Sequence, residues 1–331
     1  MEGLRLALIL ALAVMPIAAW GSPVFARRIR AGQRIRPEGP AGHLGKAGTP
    51  TMGGAVPLAL ILLGVGILWA LGPGPSWGGG FVLAATAAGG VVGLLDDLRS
   101  QRKAAGFFPH QTLLVQVALG ALLCALVPAM RGLEFAVPFS SLKLSLAAIP
   151  VWAWAPLVIA GFVGTVNGVN LADGLDGLAT GAWLLALLGL LPAAWGKPEL
   201  RGIALLGAGA GGGFLWANTY PARVFLGNVG SMGLGGFLFG IAFASGALFL
   251  LPLLGGVFVL TTLSVILQVG SYKLTGVRLF KMSPLHHHLE AGAVPWPHRI
   301  PGPNWPEPKV VVRLWLLGAA FALLGILACW A

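Results

Sequence analysis

The segment NGVNLADGLDG (167–177) places two carboxylates and two amides between the apolar runs 146–166 and 178–191. A carboxylate at membrane depth is costly, so ionisable side chains at the ends of such runs are candidates for function. Asp173 and Asp176 are three residues apart, and a helix that began here would place them on one face beside its N-terminal amides. The pattern predicts a site at the membrane surface that binds a substrate or a cation.

A second pair of carboxylates, Asp96 and Asp97, closes the apolar run 79–95. Adjacent carboxylates repel each other unless a proton or a cation relieves them. Mg²⁺ prefers oxygen ligands and usually keeps substrate phosphates in its shell, so it would provide that relief. A solvated helix end paired with Arg99 or Arg102 is the alternative interpretation, and a second acidic cluster in the chain favours the metal.

Two glycine-rich segments have the composition of phosphate sites. The loop 46–54 combines Lys46 with threonine hydroxyls and a Gly-Gly step, so its amides and its cation could hold phosphate oxygens. A tight turn before a helix explains this loop about as well. The segment 227–236 would suit close approach to a pyrophosphate, although glycines that pack membrane helices are an equally good explanation.

Three consecutive histidines, His286, His287 and His288, follow a serine and a proline near the end of the chain. Zinc ligands are usually spaced so that several converge on one ion, and three neighbours on one segment do this poorly. Hydrogen bonding to an anionic substrate is the favoured interpretation. Metal binding and a solvated loop are the alternatives.

These polar segments interrupt a very apolar chain. Of its 331 residues, 57% are hydrophobic and 9% are charged, so a soluble fold could not bury the apolar surface. The apolar runs are continuous and about 20 residues long, which is the length an α-helix needs to cross about 30 Å of hydrocarbon. We therefore expect an all-α polytopic integral membrane protein with a single domain over residues 1–331.

The net charge of +11 and the two cysteines both have simple explanations in this class. Lysines and arginines gather in cytoplasmic loops of membrane proteins, so no nucleic-acid partner is expected. Cys124 and Cys329 lie inside apolar runs and are expected to fill space rather than to form a disulfide or bind metal.

About ten membrane spans are predicted, with both termini outside. The first run precedes its cluster of arginines, which is typical of an anchor with an external N-terminus and not of a signal peptide. The outer segments then hold five lysines and arginines, and the inner loops hold the other 16. The spans are 6–20, 55–72, 79–95, 112–130, 146–166, 178–194, 202–217, 232–251, 254–271 and 310–330.

With this orientation every unusual polar segment falls on the cytoplasmic side. A transporter would be expected to carry polar groups near the bilayer midplane and to show related halves, and no internal repeat is evident. An enzyme that takes one substrate from the cytoplasm and a lipid from the bilayer would concentrate its chemistry on one face, which fits better. The segments are 43–54, 93–103, 167–177, 220–236 and 281–290.

The same segments carry a family resemblance. KAGTPTMGG, GLLDD, NLADGLDGLA, PARVFLGNVGS, MSPLHHHLE and WPEPKVVVRLW occur in this order. Over its whole length the chain resembles the phospho-N-acetylmuramoyl-pentapeptide transferase family, of the polyprenyl-phosphate N-acetylhexosamine-1-phosphate transferase superfamily. The resemblance implies a bacterial inner-membrane enzyme of ten helices, often a homodimer. Such enzymes use Mg²⁺ to transfer phospho-MurNAc-pentapeptide from UDP to undecaprenyl phosphate, giving lipid I and UMP in peptidoglycan synthesis.

The resemblance also implies residue roles. Asp96 and Asp97 match the catalytic acidic pair, one of them proposed to activate the lipid phosphate, and Phe225 matches an aromatic residue that stacks on uracil. Asn170 and Asn228 match metal-side positions. The further implied substrate contacts are Lys46, Thr51, Asn170, Asp173, Asp176, Gln268, His286, His287 and His288.

Three features depart from the family pattern. Asn228 stands where the family has a metal-binding aspartate, and a lysine expected near 110–112 is absent. A Pro-rich stretch, AVPWPHRIPGPN (293–304), is additional, and a spacer is its expected role. Asn228 supports an alternative function, that of a catalytically impaired or inactive relative that binds nucleotide sugar or lipid phosphate without efficient turnover.

Overall fold

The structure, a computed structural model, describes residues 2–29, 46, 48–72, 74–103 and 106–330. The start of the first polar segment, 43–45, and the arginines Arg30, Arg34 and Arg36 lie outside this part of the chain.

Helices make up most of the described residues. In chain order they are α1 (Glu2–Arg28), α2 (Ala55–Leu71), α3 (Trp77–Lys103), α4 (Pro109–Leu123), α5 (Val151–Ala172), α6 (Leu178–Trp195), α7 (Pro198–Asn218), α8 (Gly227–Ser245), α9 (Leu251–Leu254), α10 (Gly256–Thr275), α11 (Leu285–Glu290) and α12 (Glu307–Trp330). Short 3₁₀ segments cover Cys124–Met130, Leu146–Ala148 and Leu248–Leu250.

Within the described ranges, nine helices are long and apolar enough to cross a membrane. The remaining predicted span, 55–72, corresponds to α2, which has 17 residues and lies at the short end of the spanning range. The chain is thus a multi-pass, predominantly helical membrane protein, as its apolar runs predict.

Helix α8 is the centre of the bundle. Every residue from Val229 to Ser245 is buried, and α3 packs along it in the antiparallel direction, with α5 beside it. Glycines make this close packing possible: a Cβ added at Gly240 would lie 2.8 Å from the Cα of Val82 on α3. Small residues that let helix backbones approach are the usual basis of helix packing in lipid.

A small hairpin supplements the helices, so the all-α prediction is incomplete over 132–145. Strands β1 (Glu134–Ala136) and β2 (Lys143–Ser145) pair antiparallel, with Glu134 opposite Ser145. The hairpin is held because Phe135 is buried edge-to-face against Phe243, and because the Ala136 N–H donates to the carbonyl of Gly246. It lies beside the C-terminal end of α8.

The turn between α5 and α6 differs from the expected helix start. Helix α5 continues to Ala172 and α6 begins at Leu178, so Asp173 and Asp176 lie in a turn and do not share a helix face. Gly177, with φ +78°, provides the left-handed backbone that starts α6. The predicted span ended at 166 because the apolar run ends there, whereas α5 continues through the polar residues and Asn167 donates from inside it to the carbonyl of Val163.

Candidate active site

Asp97 caps the N-terminus of α8. Its Oδ1 accepts the backbone N–H of Asn228 at 3.2 Å and its Oδ2 accepts that of Val229 at 2.9 Å. The side chain is buried, with 8% exposed. A carboxylate at this position satisfies amides that have no partner within the helix and lies at the positive end of the helix dipole. The solvated helix end expected as the alternative for this residue is therefore wrong.

Asp96 joins a network of amide side chains. Its Oδ2 accepts the Nδ2–H of Asn228 at 2.6 Å, and its Oδ1 accepts the backbone N–H of Phe107 at 2.6 Å. The Oδ1 of Asn228 in turn accepts the Nδ2–H of Asn170 at 2.8 Å, and Asn170 also donates to Ser231. Asn228 thus donates to one side chain of the predicted metal site and accepts from another.

Asp173 brings a third carboxylate to this region from the turn after α5. Desolvation, together with the negative charges of Asp97 and Asp176, raises the pKa of the Asp173 carboxyl to about 7, although part of the side chain remains accessible. Repulsion among these groups means that the region holds more negative charge than the protein neutralises. A cation bound here would favour the ionised form of Asp173.

Lys46 makes the shortest ion pairs of the described residues. Its Nζ lies 2.7 Å from Asp176 Oδ1 and 2.5 Å from Glu307 Oε1. Burial alone would lower the pKa of Lys46, but the hydrogen bonds and charges of Asp176 and Glu307 outweigh burial and raise the pKa above its ordinary value. Lys46 is therefore a permanent cation at neutral pH.

Glu307, at the start of α12, is a site residue that the sequence analysis did not single out. Its Oε1 accepts both the Lys46 ammonium and the backbone N–H of Asp176, which is 2.7 Å away. Asp176 Oδ2 also accepts the N–H of Ala222 at 3.0 Å, so four separate parts of the chain, at positions 46, 176, 222 and 307, meet here. The segment WPEPKVVVRLW carried the signal, because it contains an acidic residue at the start of a membrane helix.

These groups open onto a cleft of about 880 Å³, which we call the main cleft. Lys46, Asp176 and Glu307 line it together with Phe225. Contact of Lys46, Asp176 and Phe225 with a substrate stays a prediction. Thr49, rather than Thr51, supplies the threonine of the lining, and Thr51 lies half-buried in the same loop.

The amides of the Gly-Gly step (53–54) and of the first residues of α8 already have partners within the protein. The N–H groups of Gly53 and Gly54 donate to the carbonyls of Phe225 and Leu226, both at 3.0 Å. A Cβ on Gly54 would collide with the Cα of Gly230, so these glycines serve close backbone packing. The phosphate-cradle interpretation is therefore wrong for the Gly-Gly step, and the packing interpretation holds for 227–236, whose first amides are taken by Asp97.

The three histidines form helix α11 and have separate environments. His286 is fully buried and packs so closely on Gly174 that an added Cβ there would collide with its ring, which ties α11 to the acidic turn. His287 lies 3.4 Å from Glu290. His288 Nδ1 accepts the backbone N–H of Lys281 at 3.2 Å, and burial, with Lys281 and His298 nearby, lowers the pKa of His288.

Gln268, on α10, holds the loop that precedes α11. Its Oε1 accepts the N–H groups of Leu279 and Phe280 at 2.9 and 2.8 Å, and its Nε2 donates to the carbonyl of Phe280. Its side chain also lines a smaller cleft of about 530 Å³, which we call the side cleft. A substrate contact by Gln268 stays a prediction.

The Pro-rich stretch 293–304 is held by hydrogen bonds to another part of the chain, so its interpretation as a spacer is wrong. The N–H groups of Arg299 and Ile300 donate to the carbonyls of Arg278 and Leu279 at 3.0 and 2.9 Å. The Trp296 Nε1–H donates to the carbonyl of Lys281 at 2.7 Å. These bonds fix the stretch against the loop before α11.

Comparison with known proteins agrees with this arrangement. The family model described as Glycosyl transferase family 4 matches residues 80–246, which include the acidic pair, the α5–α6 turn and α8. A protein of Moorella thermoacetica named phospho-N-acetylmuramoyl-pentapeptide-transferase is 42% identical over 96% of this chain and 96% of its own. One of the same name from Heliobacterium modesticaldum is 39% identical over 94% of this chain and 92% of its own. The chain therefore belongs to the phospho-N-acetylmuramoyl-pentapeptide transferase family.

Proposed function

We propose that this transferase moves phospho-MurNAc-pentapeptide from UDP-MurNAc-pentapeptide to undecaprenyl phosphate, giving lipid I and UMP. A phosphate oxygen of the lipid would form a new bond to the phosphorus that carries the sugar, and the phosphoanhydride bond to UMP would break. The observation that carries the proposal is the meeting of Asp96, Asp97 and Asp173 at the N-terminus of α8, beside a cleft lined by Lys46 and Phe225.

The donor groups present suit Mg²⁺. They are carboxylate and amide oxygens, which are the ligands that this hard cation prefers. Among the described residues, no three His, Cys, Asp or Glu side chains are placed to hold an ion by themselves. Mg²⁺ commonly uses one or two carboxylates and completes its shell with water and substrate phosphates. Asn228 and Asn170, with the neighbouring aspartates, would supply the protein's share, and the bound ion would neutralise phosphate charge.

The chain's own residues have distinct roles in this proposal. The reaction brings a phosphate monoester to a pyrophosphate, so charge balance and positioning dominate its chemistry. Lys46 would supply fixed positive charge near the nucleotide, and Phe225 would stack on the base. Asp97 retains acceptor capacity because a carboxylate has about four lone-pair sites and the α8 amides use two of them. Asp96 or Asp97 would then orient the lipid phosphate.

We place the site on the cytoplasmic side of a bacterial inner membrane, with both termini outside, because of the distribution of lysines and arginines. Cysteine labelling in intact cells tests this. In a background without Cys124 and Cys329, Arg223→Cys should resist an impermeant thiol reagent and Lys143→Cys should react, since both side chains are exposed. If only the cysteine at position 223 reacted, the orientation in the membrane would be the opposite of the one proposed.

Measurement of UMP release tests the function. Purified protein with Mg²⁺, UDP-MurNAc-pentapeptide and undecaprenyl phosphate should release UMP, and omission of the lipid should abolish the release. UDP-GlcNAc replaces the donor in a parallel reaction and should give little product. No release with any donor would contradict the proposal and would favour an inactive relative, the alternative that Asn228 suggests.

A further inference from the structure

The main cleft and the side cleft share two residues, Met282 and Trp296. Trp296 belongs to the additional Pro-rich stretch, and its side chain is fixed on two sides. Its indole N–H donates to the carbonyl of Lys281, and the Arg278 guanidinium lies 4.1 Å from its ring centroid. Trp296 therefore stands as a rigid divider between two neighbouring cavities.

The two cavities differ in charge. The main cleft carries the Lys46, Asp176 and Glu307 ion pairs beside Phe225. Both charged residues that line the side cleft are cations, Lys273 and Arg278, and its polar residues include Gln268, Tyr272 and Ser283. A ligand that extends past Trp296 would meet a cationic environment suited to carboxylates.

We infer that the side cleft binds the carboxylate-bearing peptide of the donor, and that Trp296 positions the chain where it leaves the main cleft. This inference rests on the proposed function. The donor has a nucleotide at one end and a peptide with a free terminal carboxylate at the other. Five extended residues span up to about 17 Å, enough to reach from one cavity into its neighbour. The Pro-rich stretch would thus add to the family's site a surface that selects for the peptide part of the donor.

Binding measurements on purified protein in detergent test the subsite with three probes: UDP-MurNAc-pentapeptide, UDP-MurNAc without peptide, and UMP. Lys273→Gln and Arg278→Gln should each weaken binding of the pentapeptide donor about tenfold, the value of one charge-assisted hydrogen bond. Their effect on UMP and on UDP-MurNAc should stay below about twofold. Trp296→Ala should weaken only the pentapeptide donor.

Arg299→Gln is the matched control, because it removes one positive charge from the neighbouring Pro-rich stretch and Arg299 lines neither cleft. It should leave all three affinities unchanged. In Arg278→Gln, loss of the contact between the guanidinium and the Trp296 ring could unfold the loop before α11. Lys273 is exposed and makes no such contact with Trp296, so the Lys273→Gln result remains informative in that case.

The outcomes separate this inference from the proposed function. If the parent protein binds none of the three probes, both fail. If the parent binds the pentapeptide donor and Lys273→Gln and Arg278→Gln leave that affinity intact, or reduce UMP binding equally, only the peptide subsite is wrong. If Lys273→Gln alters binding of vesicles with anionic lipid but not of the donor, the side cleft is a lipid site and the inference is overturned.

Discussion

The two ends of helix α8 are capped in the same way and by opposite charges. At the N-terminus Asp97 accepts two backbone N–H groups, and at the C-terminus the Lys197 ammonium donates to the carbonyl of Ala244 at 2.9 Å. Each charge complements the helix dipole. Each also satisfies backbone groups that a buried helix end would otherwise leave without partners.

The surroundings of the two caps differ. Asp97 has Asp96 and Asp173 nearby, and the mutual repulsion of such carboxylates costs free energy until a cation or a proton relieves it. Lys197 has no comparable cluster of like charge among the described residues. Its acidic neighbour in sequence, Glu199, accepts hydrogen bonds from Trp69 and Ser76. Capping therefore does not by itself indicate chemistry, whereas accumulated charge of one sign does.

The largest expected effect comes from Asp97→Asn. The amide keeps one acceptor oxygen but loses the negative charge and the second acceptor, so we expect UMP release to fall at least about 100-fold, or about 3 kcal/mol in activation free energy. Loss of half the cap should also lower stability by about 1 kcal/mol. Turnover and thermal unfolding are measured in the same detergent. If the variant kept half of the parent's turnover, Asp97 would not be required for the reaction.

Asn228→Asp should add a negative charge at the N-terminus of α8. The substitution replaces the Nδ2–H that now donates to Asp96 with a further carboxylate. At about 4 Å and an effective dielectric near 20, two unit charges interact by roughly 4 kcal/mol, and desolvation takes back much of this. Turnover should rise, and the Mg²⁺ concentration for half-maximal activity should fall about tenfold.

Thermal unfolding gives a second measure of position 228 that does not depend on activity. Without Mg²⁺, Asn228→Asp should unfold at a lower temperature than the parent, because the repulsion is uncompensated. With Mg²⁺ the order should reverse. Superimposable Mg²⁺ titrations of the two proteins would show that position 228 is not a metal ligand.

Glu307→Gln should weaken nucleotide binding by about tenfold, since it keeps an acceptor for the Asp176 N–H but removes one of the two charges that hold Lys46. The affinity for UMP is the measurement. Glu199→Gln, at the opposite end of the bundle, makes the same chemical change and should leave that affinity unchanged. Equal losses would indicate a general effect on folding.

Lys197→Gln should have the smallest effect. Loss of a charged cap at a helix C-terminus costs about 0.5–1 kcal/mol. A slightly lower unfolding temperature with turnover within about twofold of the parent is therefore expected. A much larger loss of turnover would show that the C-terminal end of α8 also contributes to catalysis.

The sequence predicted the bundle well because long apolar runs have few alternatives to membrane helices. It also singled out Asp96, Asp97, Asp176 and Lys46 as candidates from their charges beside the apolar runs, and the structure places Asp96 and Asp97 at the start of α8 and pairs Lys46 with Asp176. It could not show that Glu307 joins Lys46 to the α5–α6 turn, because that contact spans 261 residues. The glycines were ambiguous for a similar reason: phosphate loops and close-packed helices use the same residue, and only the partners of Gly53 and Gly54 distinguish them.

Asp97 and Lys197 both cap α8, but only Asp97 is expected to contribute to the reaction. One paired measurement tests this difference most directly. UMP release and the free energy of unfolding are determined together for the parent, Asp97→Asn and Lys197→Gln. We predict similar losses of stability in the two variants, within about 1 kcal/mol, and turnovers that differ by at least about 50-fold. If turnover instead follows stability in the same proportion for both variants, the N-terminus of α8 is not the reactive end.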